Sequence, residues 1–280
     1  MHKTFSPLRY PGGKSQFFDK VDRIILKNNL FGCTYLEPFA GGAGVALRLL
    51  IEEKVNQIYI NDNDYCIYAF WYSILKKTSQ FLELIKKTEI NINEWNKQKN
   101  IYINFKSYSI LEVGFSTFFL NRTNRSGILK AGPIGGKNQN GTYKIDCRFN
   151  KDELISKIKK IAIYKNRIHI SHLDANSFIK KFKNLNNTFW FIDPPYYNKG
   201  AELYKNYFND KDHRKLERTI YLNLRENSWI LTYDVCNEIF NLYSSYSNGK
   251  IDLTYSVENK RVEQEYIFYN NLFLGDIING

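Results

Sequence analysis

The stretch Phe191-Ile192-Asp193-Pro194-Pro195-Tyr196-Tyr197 places an acid, two prolines and two aromatic rings directly after an apolar run at residues 187–192. The apolar run predicts a buried strand, and two prolines cannot continue a strand, so the chain must turn after it. Asp193 and the two tyrosines therefore lie at the carboxyl end of a strand. This is where open α/β sheets bind their ligands.

These residues suit methyl transfer to the exocyclic amino nitrogen of a planar base. Such a nitrogen is a poor nucleophile because its lone pair is delocalised into the ring. Asp193 and the carbonyl of Pro194 can each accept one N–H bond, which takes the lone pair out of conjugation and aims it at an electrophilic methyl group. Tyr196 offers a face on which the base can stack. The alternative is an ordinary strand that ends in a proline-rich turn.

A second strand, turn and helix pattern lies at residues 34–44, which read Thr-Tyr-Leu-Glu-Pro-Phe-Ala-Gly-Gly-Ala-Gly before a helix-forming run at 45–50. Glycines let the backbone approach a ligand closely at such a junction. Their order does not fit the Gly-x-Gly-x-x-Gly fingerprint of dinucleotide sites. Glu37 instead favours a ligand with an ammonium group, such as the amino end of a methionine moiety. The alternative is a tight turn that simply needs glycine.

Two further acids follow predicted strands. Residues 57–61 predict a strand followed by Asp62, and residues 167–170 predict another that leads to Asp174. An acid in the position of Asp62 would bond ribose hydroxyls, as it does in nucleotide-binding folds. Asp174 is expected to face the adenine amino group of a cofactor. Each acid alone is weak evidence, and their recurrence at strand ends is the signal.

The amino-terminal stretch at residues 8–14 reads Leu-Arg-Tyr-Pro-Gly-Gly-Lys and is followed by Ser15. Gly13-Lys14-Ser15 is similar to the end of a phosphate-binding P-loop. That motif requires a glycine at position 8, where leucine stands, and a preceding strand. We therefore reject a P-loop.

Residues 9–14, residues 37–44, Asp62 and residues 193–196 together resemble the DNA adenine methylase family. Members are S-adenosylmethionine-dependent DNA methyltransferases specific for adenine N6. The resemblance runs from Pro7 to Asn270 in the alpha motif order, with cofactor motifs first, then the target-recognition insert, then the catalytic tetrapeptide. The pairing of residues 10–14 with the tetrapeptide is far more specific than the tetrapeptide alone.

The resemblance implies S-adenosyl-L-methionine as the cofactor and double-stranded DNA, opened by base flipping, as the partner. Arg9 would sit where relatives carry a basic residue near the target bases. We expect Gly44 to take over from Ala43, where relatives often have glycine, and Tyr10 to stack where many have Trp. The expected catalytic residues are Asp193, Pro194, Pro195 and Tyr196, and the expected cofactor-binding residues are Tyr10, Lys14, Glu37, Phe39, Gly41, Asp62, Asp174 and Asp193.

The remaining periodicity predicts an α/β fold. It is a Rossmann-like, seven-stranded mixed sheet with one antiparallel strand and helices on both faces. Strands are expected near residues 34–38, 57–61, 168–170, 188–192, 228–233, 251–257 and 264–270. The predicted catalytic domain comprises residues 1–62 and 151–280. An inserted target-recognition domain of helices and loops occupies residues 63–150.

Within the insertion, residues 121–150 hold five glycines and predict a long loop or hairpin. Six basic residues against a single acid give this segment a net charge near +5. Such a segment suits phosphates and base edges, and the alternative is a solvated loop. The familiar Tyr-Asn-Gly of relatives is missing, so their target sequence is not transferred. The expected DNA-binding residues are Arg9, Asn121, Arg122, Arg125, Lys137 and Arg148.

Composition agrees with this interpretation. The chain has 280 residues, a net charge of +12 and a pI near 9.3, as expected of a protein that meets phosphates, although lysine is abundant throughout. The four cysteines and four histidines form no metal-ligand pattern. We therefore expect no metal, no disulfide, a cytoplasmic location, no membrane span and a monomer. A companion restriction endonuclease is left open.

Two alternatives for function remain. The same motif can act on another amino group, namely cytosine N4, RNA adenine or a glutamine side chain. The chain can also be a DNA-binding module that has lost transfer, which the intact residues 193–196 argue against. Digestion of methylated DNA to nucleosides, with identification of the modified base, separates these alternatives.

Overall fold

The computed structural model describes residues 4–9, 17–197, 208–256 and 260–277. Seven strands form one mixed sheet in the order β3-β2-β1-β4-β5-β7-β6. The prediction of a single reversed strand is confirmed, because β7 is antiparallel to both of its neighbours and the pairs among β1–β5 are parallel. The strands are β1 (Thr34–Glu37), β2 (Gln57–Asn61), β3 (Ile168–Ser171), β4 (Thr188–Ile192), β5 (Ser228–Asp234), β6 (Ser247–Ser256) and β7 (Lys260–Asn270).

Helices occupy most of the remaining described chain. None of those described is long and apolar enough to cross a membrane. Short 3-10 turns lie at Phe105–Ser107, Arg125–Gly127, Lys165–Arg167 and Gly275–Ile277. The helices are α1 (Phe18–Lys27), α2 (Gly44–Ile51), α3 (Tyr65–Lys76), α4 (Thr78–Lys87), α5 (Ile92–Ile103), α6 (Ile110–Thr123), α7 (Lys151–Ile163), α8 (Ala175–Phe182), α9 (Asp210–Asn223) and α10 (Asn237–Tyr243).

The centre of the sheet is covered on both faces. Every residue of β1 and of β4 is buried, so neither strand alternates between core and solvent. Strands in doubly covered parallel sheets have this uniform burial, which is why they appear in the sequence as continuous apolar runs. Trp190 on β4 and Trp229 on β5 are among the largest fully buried side chains of this core.

The described residues cluster into two compact units. The first comprises residues 17–63 and 167–277 and contains the sheet, and the second comprises residues 4–9 and 64–166 and contains α3–α7. We expected the chain to return to the catalytic domain at residue 151. Instead, α7 packs against α3 and α4 within the second unit, because that is where Leu154, Ile158 and Ile161 are buried.

The segment predicted as a loop begins later than expected. Helix α6 continues to Thr123, and the chain then turns at Arg125–Gly127 and forms a single β-bridge between Asn124 and Pro133. The sequence obscured this because the last turn of α6 is polar. Its polar groups are satisfied internally, and the Thr123 hydroxyl donates to the carbonyl of Phe119 at 2.8 Å.

Helices α3 and α6 meet closely at Gly114. A Cβ at this position would lie 2.4 Å from the carbonyl oxygen of Ala69 and 2.5 Å from the hydroxyl oxygen of Ser73. Alanine normally stabilises a helix interior over glycine by about 0.5–1 kcal/mol. Here we expect Gly114→Ala to lower the free energy of unfolding by about 1–3 kcal/mol, because the helices must move apart.

Urea unfolding followed by circular dichroism measures this change. Gly132→Ala is the control, because its Cβ would meet only the Arg125 guanidinium, at 3.7 Å. If Gly114→Ala is as stable as the unmodified chain, the close approach of the two helices is wrong.

Candidate active site

Acidic side chains lie together at the carboxyl ends of the parallel strands, because each of them ends or follows such a strand. Glu37 closes β1, Asp62 follows β2 and Asp193 follows β4. β1 pairs directly with β4, although the two strands are far apart in the chain. The strand order reverses at this point, and ligands of open α/β sheets bind in the crevice outside such a reversal.

A buried amide, not singled out by the sequence motifs, ties the neighbouring loops together. Asn61 is 1% exposed, and its Nδ2 donates to the carbonyls of Pro38 and Leu173 at 3.0 and 2.9 Å. Its Oδ1 accepts the Leu173 N–H and the Ser171 hydroxyl at 3.0 and 2.7 Å. Asn61 thus links the loops after β1 and β3 across the end of β2. An asparagine that closes an apolar strand was the available signal.

The glycine loop is held by the acid that follows β2. The Gly41 N–H donates to Asp62 Oδ2 at 3.0 Å. Ala43 has a φ of 46°, in the left-handed region, whereas Gly44 is the first residue of α2. The expectation that Gly44 would take over the glycine role is therefore wrong. Ala43 adopts the strained conformation itself, at a cost of about 1–2 kcal/mol.

Glu37 is a buried acid with a strongly altered affinity for protons. Its Oε1 accepts the Tyr35 hydroxyl at 2.7 Å. Burial raises the pKa of Glu37 to about 8 and the charge of Asp193 adds to this, while hydrogen bonds from Tyr35 and the Ala46 N–H oppose it. A cation placed beside Glu37 would favour its carboxylate form. The buried Glu37 carboxyl group therefore fits a ligand that carries an ammonium group.

The loop after β4 is held at three points by side chains from β5 and β7. The Thr232 hydroxyl donates to Asp193 Oδ1 at 2.7 Å, and the Tyr197 N–H donates to Asp234 Oδ1 at 2.9 Å. The Tyr196 hydroxyl donates to Glu265 Oε1. Pro194 is buried and Pro195 is half-buried. The loop predicted to be catalytic is therefore fixed by strands on one side of β4.

Other residues predicted to bind cofactor are placed less uniformly. Phe39 is half-buried and meets the edge of the Phe208 ring at 5.7 Å between ring centroids. Asp174 is exposed and caps α8, because its Oδ1 accepts the Ser177 N–H at 3.1 Å. A contact between Asp174 and an adenine amino group stays a prediction. Tyr10 and Lys14 lie outside the described residues.

In the second unit, Asn121 has a structural role. It is 2% exposed, its Oδ1 accepts the Arg9 N–H at 2.7 Å, and its Nδ2 donates to the carbonyls of Arg9 and Gly127 at 2.8 and 3.0 Å. We expected Asn121 to contact DNA. Because its amide is buried and bonded to backbone, it instead fixes the segment at Arg9 to the turn that ends at Gly127.

Arg122 braces the same region. Its Nε donates to the carbonyl of Arg148 at 2.7 Å, and its Nη2 donates to the same oxygen. Burial and, after it, the nearby positive charges of Arg9 and Arg148 lower the pKa of Arg122 to about 10. The three guanidinium groups therefore concentrate positive charge in one place, which favours a bound anion.

Arg125 lies on a turn of its own. Arg125, Lys137 and Arg148 are exposed. Behind the turn, Asn124 accepts the Trp95 indole N–H at 2.7 Å and donates to the carbonyls of residues 128 and 129 at 2.9 and 3.1 Å. An ordered turn thus presents an exposed guanidinium. Trp95 and Asn124 were missed by the sequence reasoning, because an aromatic donor and a buried acceptor 29 residues apart leave no local pattern.

Metal chemistry has no support in these residues. Across residues 4–9, 17–197, 208–256 and 260–277, no group of three or more His, Cys, Asp or Glu side chains is arranged to hold a metal ion.

Comparison with known proteins finds sequence similarity to a methyltransferase and distant similarity to solved structures. The chain is 26% identical over 241 residues to "Type II methyltransferase M.MjaIII" from Methanocaldococcus jannaschii, which covers 75% of this chain and 77% of that protein. The rRNA methyltransferase aviRa from Streptomyces viridochromogenes covers 96% of this chain and 88% of its own, at 11% identity and a TM-score of 0.42. A conserved hypothetical protein from Streptococcus pyogenes covers 86% of this chain and 87% of its own, at 11% identity and a TM-score of 0.33.

A family model matches most of the chain. Residues 10–258 match the family of D12 class N6 adenine-specific DNA methyltransferases. This range includes the glycine loop, Asp62, the second unit from α3 to α7, and the loop at Asp193. The chain therefore belongs to the D12 class N6 adenine-specific DNA methyltransferase family.

Proposed function

We propose that the residues at the carboxyl ends of β1 and β4 bind S-adenosyl-L-methionine. They would present to it an adenine that is flipped out of a specific sequence of double-stranded DNA. The observation that carries this proposal is the loop at Asp193. An acid and a tyrosine from one short turn are fixed by β5 and β7 beside Glu37, a buried acid suited to an ammonium group. When bound, the cofactor supplies an electrophilic methyl group.

In this proposal the cofactor lies along the ends of β1 and β2. Glu37 pairs with its amino group, and Asp62 accepts the ribose hydroxyls while it keeps its bond from the Gly41 N–H. A carboxylate has about four acceptor positions, so both tasks are compatible. Phe39 and Gly41 shape the same site. Asp174 is proposed for the adenine amino group of the cofactor.

Asp193 and the Pro194 carbonyl accept the two N–H bonds of the target amino group. The Thr232 hydroxyl holds one oxygen of Asp193, which fixes the direction of the carboxylate before the base arrives. Tyr196 stacks on the base. Catalysis then comes from orientation and electrostatics, and the amino proton leaves after the methyl group has been transferred.

The second unit is proposed to read and hold the duplex. Arg125, Lys137 and Arg148 are exposed donors, and Arg9 and Arg122 add charge beside them. The relative named as a type II methyltransferase supports a place beside a restriction endonuclease of the same specificity. We propose a monomer in the cytoplasm as the working form.

Incubation with DNA and the cofactor, followed by digestion to nucleosides, tests the proposed acceptor and the role of Asp193 together. We expect N6-methyladenine, and we expect Asp193→Ala to lower the single-turnover rate by ~10²-fold or more, because the amino group loses its acceptor. Asp152→Ala is the control, because Asp152 is an exposed acid on α7. N4-methylcytosine would move the activity to another acceptor in DNA. DNA that stays unmodified would leave a DNA-binding module, or an acceptor in RNA or protein.

The raised pKa of Glu37 predicts how cofactor affinity depends on pH. Below about pH 8 the free protein carries a proton on Glu37, which an arriving ammonium must displace. The affinity should therefore rise with pH, by up to ~10-fold per unit, and level off above about pH 8. Calorimetry in buffers of different ionisation enthalpy should show release of close to one proton near neutral pH.

Glu37→Gln provides the comparison. It removes the titrating group while it keeps the side-chain shape, so its weaker affinity should lose the pH dependence and the proton release. Equal pH dependence in both proteins would place the ammonium group away from Glu37.

Arg125 and Arg122 are expected to behave differently on substitution. We predict that Arg125→Ala costs about 1–3 kcal/mol of discrimination at one base pair, because an exposed arginine suits bidentate contact with guanine. Arg122→Ala should weaken binding to all sequences alike and lower the melting temperature, because it removes two hydrogen bonds to the Arg148 carbonyl. Sequencing of the sites methylated in genomic DNA measures the first effect.

Lys159→Ala removes an exposed positive charge from α7 in the same unit and is the control for charge alone. A changed target sequence with Arg122→Ala, and none with Arg125→Ala, would exchange the two assignments.

A further inference from the structure

A buried hydrogen bond joins the predicted stacking residue to a strand that no motif includes. Tyr196 is 8% exposed, Glu265 is 2% exposed, and the tyrosine hydroxyl donates to Glu265 Oε1. Glu265 lies on β7, directly opposite Asp234 of the neighbouring strand β5. Because β7 runs opposite to β5 and begins beyond it, Glu265 in the middle of β7 lies beside Asp234, the last residue of β5. The reversed strand therefore delivers Glu265 to the loop.

Stability alone does not call for this pair. Removing one partner would take a hydrogen bond from a buried hydroxyl or a buried carboxylate, which is costly. Replacing both partners by apolar groups of similar shape is often neutral or stabilising, because neither group then has to lose its water. A buried carboxylate at this position is therefore better explained by the geometry that it imposes than by the stability that it adds.

The hydrogen bond to Glu265 restrains the hydroxyl end of the Tyr196 ring, which the backbone does not hold. The loop on either side of Tyr196 is already held, because the Thr232 hydroxyl donates to the Asp193 side chain and the Tyr197 N–H donates to Asp234. These bonds hold the loop but leave the direction of the Tyr196 side chain to packing. A bond at the hydroxyl, the far end of the ring, fixes where that end of the ring lies.

We propose that Glu265 is a positioning residue, which sets the direction of the Tyr196 ring so that the target base stacks at the correct height above Asp193. The inference rests on the proposed function, because it assigns Tyr196 to the target base. Glu265 itself does not touch the substrate. A misplacement of ~1 Å in such a site can cost ~10²-fold in rate, which is why one distant hydrogen bond matters.

Four variants of the full chain test the proposal: Glu265→Gln, Glu265→Leu, Tyr196→Phe and the double variant Tyr196→Phe/Glu265→Leu. The measurements are the melting temperature, the cofactor affinity by calorimetry, and the single-turnover rate on DNA that carries the target sequence. A target site with 2-aminopurine in place of adenine reports base stacking by fluorescence.

We expect Glu265→Leu and Tyr196→Phe each to lower the single-turnover rate by ~10–100-fold, with cofactor affinity within about 2-fold of the unmodified chain. Glu265→Gln keeps an acceptor for the hydroxyl and should retain most of the rate. The double variant should regain the melting temperature lost in the single variants, because both polar groups of this hydrogen bond are then removed together. Its rate should stay low, and its 2-aminopurine fluorescence should stay altered, because the ring is no longer held.

Recovery of both the melting temperature and the rate in the double variant would overturn the proposal, because the pair would then only satisfy its own polar atoms. A loss in Glu265→Gln as large as that in Glu265→Leu would also overturn it. If Glu265→Leu does not fold, Tyr196→Phe and Glu265→Gln still give the comparison. Failure of the proposed function has a different result: the unmodified chain would make no N6-methyladenine, and both proposals would fall.

Discussion

The parallel pairing of β1 with β4 is the constraint on which the site depends. It sets Glu37 and Asp193 at neighbouring strand ends, where burial raises the pKa of Glu37 to about 8 and the charge of Asp193 adds to this rise. The two acids give this end of the sheet a preference for positive charge. The proposed cofactor, with an ammonium and a sulfonium group, would supply that charge, so the arrangement that disfavours the Glu37 carboxylate would also favour a cationic ligand.

Buried amides organise the loops of both units without adding charge. Asn61 connects the ends of three adjacent strands in the first unit, and Asn121 and Asn124 fix the turn that presents Arg125 in the second. An amide offers a donor and an acceptor together, so one side chain can satisfy several backbone groups that a loop leaves open. Each unit thus carries its functional side chains on loops that are ordered by neutral groups behind them.

The sequence predicted what depends on local pattern. Apolar runs located the strands, and Glu37, Asp62 and Asp193 were found because each stands at a strand end. The helix α7 was placed in the wrong unit, because its apolar face does not say which partner will bury it. Asn121 was taken for a DNA contact because a polar residue looks the same whether it faces solvent or bonds to backbone 112 residues away. Glu265 carried no signal at all, because its partner lies on another element.

The place of β7 in the sheet also fixes an order of events during folding. β5 pairs with β7 and not with β6, although β6 comes first in the chain. Until residues 260–270 have been made, β5 is an open edge, which is the part of a growing sheet most exposed to wrong pairing. The hairpin of β6 and β7 closes that edge and brings Glu265 to Tyr196 in the same event. A chain that has not yet reached residue 265 therefore lacks the carboxylate that accepts the Tyr196 hydroxyl.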